Sequence, residues 1–242
     1  ASTLVTITPS NPDNEVYVTT DGTDPAVSST AFKYLKPFEI TETTTVKAFE
    51  EGAELYAEKT FTKKAVEATD KTIADLNGMT ESMNLIRLNL NNAVVTYVDG
   101  KNVYVREGNY SIMFYNTELT MERGQVLNGS IIVDYSYYYG IHEVKDNDNT
   151  NMDNLTMTNG EAPKPIEVNI SDILDLKYIC EYIVLKNVRV VSEGKNFFAE
   201  DNAGNRVQLY KGVSVEEYAN DGTLYNIEGL FNNIYKGAAE VQ

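Results

Sequence analysis

The chain has 242 residues, 42% of them hydrophobic, enough material for the cores of two or three small domains. Its formal net charge is -16, and the acidic excess is spread along the whole chain; nucleic-acid binding depends on Lys and Arg neutralising phosphates, so this balance counts against it. One cysteine and one histidine exclude an intramolecular disulfide and a Cys/His zinc site, and no apolar run is long enough to span a bilayer.

Seventeen tyrosines, no tryptophan and frequent Val, Ile and Thr favour strands. Residues 1–66 read as short strands divided by turn chemistry. Leu4-Val5-Thr6-Ile7 runs into Pro9 and the cluster Ser10-Asn11-Pro12-Asp13-Asn14. Glu15-Val16-Tyr17-Val18-Thr19 alternates and ends at Asp21-Gly22, Thr43 to Phe49 alternates again, and Tyr56 to Phe61 makes a last strand. The string Thr20-Asp21-Gly22-Thr23-Asp24-Pro25 is turn chemistry: Asp bonds the backbone ahead of it, Gly permits a positive φ and Pro fixes its own. With Tyr34-Leu35-Lys36-Pro37-Phe38 and Thr44-Thr45-Val46-Lys47-Ala48-Phe49, this segment resembles the chitobiase/β-hexosaminidase C-terminal-type domain over nearly all of residues 4–62. The resemblance implies an immunoglobulin-like sandwich of the kind that accompanies bacterial secreted glycosidases and surface proteins. It brings no catalytic residues with it.

After the polar linker Lys63 to Asp70, the sequence repeats itself. Asn92-Ala93-Val94-Val95 and the hairpin signal Asp99-Gly100-Lys101-Asn102 echo Asn187-Val188-Arg189-Val190 and Glu193-Gly194-Lys195-Asn196. Gly140-Ile141-His142-Glu143-Val144 echoes Gly237-Ala238-Ala239-Glu240-Val241. Each copy reads as a helical turn (residues 73–76 or 173–176), three strands, a short polar helix (118–123 or 215–220) and two more strands. That order matches the five-stranded Greek-key barrel called the OB-fold. It also resembles, by topology, the OB-like domains of bacterial secreted and surface proteins. The expected fold is therefore all-β, with an Ig-like module over 1–66 and OB-like barrels over 67–160 and 161–242.

OB barrels commonly bind ligands on their second and third strands. Period-2 alternation points Val103, Val105, Ile112 and Phe114 inward, and so turns Tyr104, Arg106 and Tyr115 outward, where they could stack a sugar or a base. Their counterparts in the second copy are Phe198, Glu200 and Tyr210, and the exchange of Arg106 for Glu200 makes the first barrel the better candidate. The run Tyr135-Ser136-Tyr137-Tyr138-Tyr139-Gly140 lies beside the same face, and its tyrosines suit sugars and protein partners. The alternative for all of these rings is packing between barrels. Asp146 to Asn154 is rich in oxygen ligands but lacks the Gly and closing Glu of a calcium loop, and reads as a polar loop. Cys180 and His142 are the only thiol and imidazole available for a nucleophilic pair. No nucleophile elbow, Walker loop or H-E-x-x-H motif occurs.

The expectation is a non-enzymatic extracellular or cell-surface binding module with no metal or cofactor, taking a glycan or protein partner. Membrane attachment would need a lipid anchor outside this sequence. The alternatives are single-stranded nucleic-acid binding by the tandem barrels and an adhesion spacer.

Overall fold

The β-branched runs form strands throughout. The computed structural model describes residues 2–53, 56–210, 215–235 and 238–242. These residues are almost wholly strand and turn, with two five-residue helices and one 3-10 turn among them. The chain divides into two units, Ala1–Val66 and Glu67–Gln242.

In the first unit the strands are β1 (Thr3–Val5), β2 (Val16–Thr19), β3 (Phe32–Lys33), β4 (Phe38–Ile40), β5 (Thr44–Glu50) and β6 (Ala57–Phe61). Strand alternation sends Val16 and Val18 of β2 and Val46 and Ala48 of β5 to one face. They pack with Val5 and Ile40 of the smaller β1-β4 sheet, so the four-stranded sheet β3-β2-β5-β6 and the pair β1-β4 make a small sandwich. The Thr-Asp-Gly-Thr-Asp-Pro string is a polar knot at its edge. Asp21 accepts from the backbone N–H of Thr23 at 3.0 Å and from the hydroxyl of Thr30 at 2.7 Å, and Asp24 accepts from the hydroxyl of Tyr56 at 3.0 Å. Gly22 takes φ 76 in this turn.

The second unit opens with β7 (Thr69–Lys71) and α1 (Ile73–Asn77), the helix being started by a capping box between Thr72 and Asp75. There follow β8 (Met83–Asp99), β9 (Asn102–Glu107), β10 (Tyr110–Phe114), β11 (Gln125–Tyr138), β12 (Ile141–Lys145) and β13 (Leu155–Asn159). β8 to β12 close a five-stranded barrel in the order β8-β9-β10-β12-β11 and back to β8, with β10 and β12 parallel. The order then repeats in β14 (Ile166–Glu167), α2 (Ile170–Leu174), β15 (Glu181–Glu193), β16 (Asn196–Glu200), β17 (Arg206–Leu209), β18 (Tyr225–Phe231), β19 (Asn233–Tyr235) and β20 (Ala238–Val241). Again the third strand, β17, pairs parallel with β20, and the fourth is interrupted at Asn232 between β18 and β19. Ile73 and Leu76 of α1, and Ile170 and Ile173 of α2, are buried in the cores of the two barrels.

The helices differ from the sequence expectation in two places. The second one spans Ile170–Leu174, earlier than expected, and Asp175 to Cys180 is a succession of turns. Residues 118–123 form no helix, because Asp146 draws that segment into a loop. Its carboxylate accepts from the Thr117 hydroxyl at 2.9 Å and the Glu118 N–H at 2.7 Å, while Met121 is buried in the core. The matching segment of the second barrel is the 3-10 turn Glu216–Tyr218. Gly237, matched with Gly140 in the sequence, lies outside the described residues.

The sequence echo at Asn92 and Asn187 has a structural cause. Each first strand bends there to serve two neighbours, and each asparagine takes a left-handed conformation, φ 52 and φ 55. Asn tolerates that region better than other residues with a Cβ. The freed N–H groups donate to Asn128 Oδ1 at 2.8 Å and Asn226 Oδ1 at 3.2 Å on the fourth strands. We expect Asn187→Ala to destabilise the second unit by about 1–2 kcal/mol and Asn187→Gly to be nearly neutral, as read by chemical denaturation.

Candidate functional site

The outward face of β9 and β10 is where a ligand was expected, and it is covered. Tyr104 is fully buried and Met113 nearly so, in a cluster with Ile141 of the first barrel and Cys180 and Leu230 of the second. Alternation does turn Tyr104 out of its own barrel, but the second barrel lies over it. Its hydroxyl meets the Asn232 amide, and burial holds its pKa up. Arg106 is likewise engaged, donating to Glu181 at 3.3 Å. A second seam beside this contact sets Tyr97 against Tyr182 with ring centroids 5.0 Å apart and the rings tilted by 36°, and the Arg123 guanidinium lies 4.8 Å from the Tyr182 ring. Tyr104 and Arg106 are therefore corrected from ligand contacts to contacts between the barrels.

The tyrosine run divides by alternation. Tyr135 faces the first core and is 1% exposed, which removes it as a direct ligand contact. Tyr137 packs at the barrel mouth, half-buried. Tyr138 and Tyr139 are exposed and meet edge to face at 4.7 Å. Tyr115 is exposed, with the Lys145 ammonium 5.0 Å over its ring.

Beside the sealed face the barrels leave a cleft of about 320 Å³. Tyr110 and Tyr137 from the first barrel and Leu176 and Tyr178 from the turns before β15 line it, and Asn77, Asn109, Ser111, His142 and Glu181 supply its polar groups. Gly140 lies at its edge with φ 89, where a Cβ would come 2.7 Å from Ile234 of the second barrel. Of the sequence candidates, the cleft includes Tyr137 and lies beside Tyr139. It also contains residues that were not singled out, since they come from four separate stretches of chain. The one available signal was the apolar run Tyr178-Ile179-Cys180 leading into a charged Glu181.

The groups at the floor of the cleft are acceptors, while the Asn109 amide and the Tyr110, Tyr137 and Tyr178 hydroxyls around it can donate. The Tyr135 hydroxyl lies 3.1 Å from the carbonyls of Leu76 and Met79 and 2.8 Å from His142 Nδ1. Assigning its one proton to a carbonyl satisfies the most groups: the hydroxyl then accepts from Nδ1–H, which leaves Nε2 of His142 as an acceptor. Burial lowers the His142 pKa and so favours the neutral ring. Asn77 commits its amide nitrogen to the carbonyls of Ile73 at 3.0 Å and Ser111 at 2.9 Å, leaving its oxygen. Glu181 is 4% exposed, and is held by the Ser111 hydroxyl and Arg106. Cys180 donates to the carbonyl of His142 at 3.7 Å rather than to its ring, and burial pushes the thiol pKa up. The Asp146 to Asn154 loop is occupied with its own chain: Asn147 Nδ2 donates to Asp134 at 2.9 Å and its N–H to Thr150 Oγ1 at 2.8 Å. Among the described residues no group of three or more His, Cys, Asp or Glu is placed to hold a metal ion, and no helix is long and apolar enough to cross a membrane.

A family model described as Fn3 associated matches residues 5–65, in keeping with the fibronectin- or immunoglobulin-like sandwich of the first unit. No curated protein and no solved structure matches the chain.

The buried carboxyls of the second unit and the surface carboxyls of the first are shifted in opposite directions. Burial raises the pKa of Glu143 and Glu181 between the barrels, against the partial opposition of Lys145, and of Ser111 and Arg106, respectively. A carboxyl whose folded pKa is raised stabilises the fold below its ordinary value near 4.5 and loses that contribution as pH rises through the folded value. In the first unit, the Thr23 and Thr30 donors hold Asp21 down to about 2, and the Ser10, Asn11 and Asn14 donors hold Glu50 down to about 2. Their contribution is present above the ordinary carboxyl range and is lost as pH falls toward 2. In the second unit the lowered pKa values of His142, Asp70, Asp75, Asp172, Asp201 and Asp221 act the other way, so Glu143 and Glu181 offset part of an acid loss rather than reverse it. Calorimetry from pH 7 to pH 3 should show the fall of the first unit's transition shrinking in Glu50→Gln, and the fall of the second unit's transition steepening in Glu143→Gln.

Proposed function

We propose that this chain is a non-catalytic binding module of a bacterial extracellular or cell-surface protein, and that it holds a carbohydrate in the cleft between its two OB-like barrels. The observation that carries the reading is the cleft itself: an open concavity with tyrosine walls and a polar floor, on a unit whose usual OB face is closed. Tyrosine presents a flat apolar ring with a hydroxyl tip, which suits the faces and edges of a sugar. The resemblance of the first unit to accessory domains of secreted glycosidases supports the setting.

The non-catalytic part rests on the state of the two reactive side chains. The Cys180 thiol is buried with its pKa raised, and His142 is fixed through Nδ1 by Tyr135. Neither offers an activated nucleophile. Binding of single-stranded nucleic acid is disfavoured twice, by the net charge of -16 and by the loss of Tyr104 and Arg106 to the barrel contact.

Asn109 is exposed at the cleft and its side chain carries no structural hydrogen bond, so Asn109→Trp fills the cleft without disturbing either core. Glycan-array screening followed by titration calorimetry should find an oligosaccharide ligand for the intact chain, with binding lost in Asn109→Trp at unchanged melting temperature. Full binding by that variant would move the site elsewhere.

A further inference from the structure

Nine described non-glycine residues adopt positive φ. Four are asparagines, which tolerate it. The other five are Leu85, Tyr139, Leu176, Tyr178 and Cys180. Of these, Leu176 and Tyr178 line the cleft, Tyr139 adjoins it, and Cys180 lies between them and Glu181. Bulky side chains in this region strain the backbone relative to an ordinary conformation.

The Tyr139 position makes the mismatch plain. Tyr138 pairs with Ile141 across a two-residue hairpin turn in which Tyr139 has φ 48 and Gly140 φ 89. That turn type favours Asn-Gly. A tyrosine stands where asparagine would be more comfortable, and it is 71% exposed, so little beyond the edge contact with Tyr138 repays the strain. Tyr178, with φ 63, is also exposed, at 42%. Departures from local preference that gather at one place and are not repaid by burial mark a functional surface.

The acceptors of the floor narrow the ligand. The free oxygen of Asn77, Nε2 of His142 and the remaining lone pairs of Glu181, whose oxygens already accept from Ser111 and Arg106, can take donors, and no free cation lines the cleft among the described residues, since Arg106 is spent on Glu181. A ligand carrying carboxylate or sulfate would meet acceptors, a buried carboxyl and a chain of net charge -16.

On the strength of the carbohydrate reading above, we infer that the cleft selects an uncharged saccharide. Its hydroxyls donate to Glu181, Asn77 and His142, its ring faces lie on Tyr137 and Tyr178, and the strained positions 139 and 178 are kept aromatic to contact it. Uronic-acid and sulfated glycans are excluded.

The test measures binding of neutral and of uronate-containing oligosaccharides to the full chain, Tyr178→Asn and Tyr139→Asn. The expected result is binding of neutral sugars only, a loss of about tenfold or more in Tyr178→Asn, a smaller loss in Tyr139→Asn, and melting temperatures equal to or above that of the parent. Uronates bound as well as neutral sugars would overturn this inference and leave the binding-module reading standing. Unchanged affinity in Tyr178→Asn, or a lowered melting temperature in both variants, would overturn the role given to the strained rim. No glycan of either class bound would remove both proposals.

Discussion

The closing of the β9-β10 face by the second barrel is the contact on which the rest of the larger unit depends. Tyr104, Met113 and Ile141 gain burial only because Cys180 and Leu230 are brought over them. That contact decides which groups are left for a ligand: it uses up Tyr104 and Arg106 and brings Glu181 beside Ser111. It also places Tyr178 opposite Tyr137, so the cleft is a by-product of how two similar barrels meet. Neither barrel contains it alone.

Burial in this contact has an electrostatic consequence. Two carboxyls, Glu143 and Glu181, are removed from water with one cation near each, and both are pushed toward the protonated form. A buried pair of this kind adds little net stability, because desolvation offsets attraction, but deleting one partner leaves an uncompensated charge. The arrangement fixes orientation more than it adds strength. In the sandwich the carboxylates lie at the surface, and hydroxyl and backbone donors stabilise their charged forms.

Much of the fold was legible because it rests on local rules. The inward valines of β9, the hairpins at Gly100 and Gly194 and the paired asparagines Asn92 and Asn187 each follow from period-2 alternation or left-handed tolerance, so the repeat could be read from one chain. The helix expected at 118–123 failed because a carboxylate distant in sequence, Asp146, captures that segment. The site was less legible for a related reason. Alternation says that Tyr104 leaves its barrel but not what waits outside, and it cannot show that Tyr110, Tyr137 and Tyr178 converge. The strain at Tyr139 and Tyr178 breaks local preference, so a reading built on that preference passes over it.

The barrels also join through unlike surfaces, the strand face of one against the strand entrance of the other. In symmetry terms this is a head-to-tail contact, which does not close on itself and would add a further barrel by the same operation. What stands on the corresponding face of the second barrel bears on this. Where the first has Met113 and Ser111 beside Tyr104, the second has Gln208 and Arg206 beside Phe198, and Arg206 is paired to Glu200 at 2.6 Å. An ion pair already satisfied in water gives an incoming barrel a desolvation cost with little gain. A few side chains thus make this face of the second barrel a poorer surface for stacking than the matching face of the first.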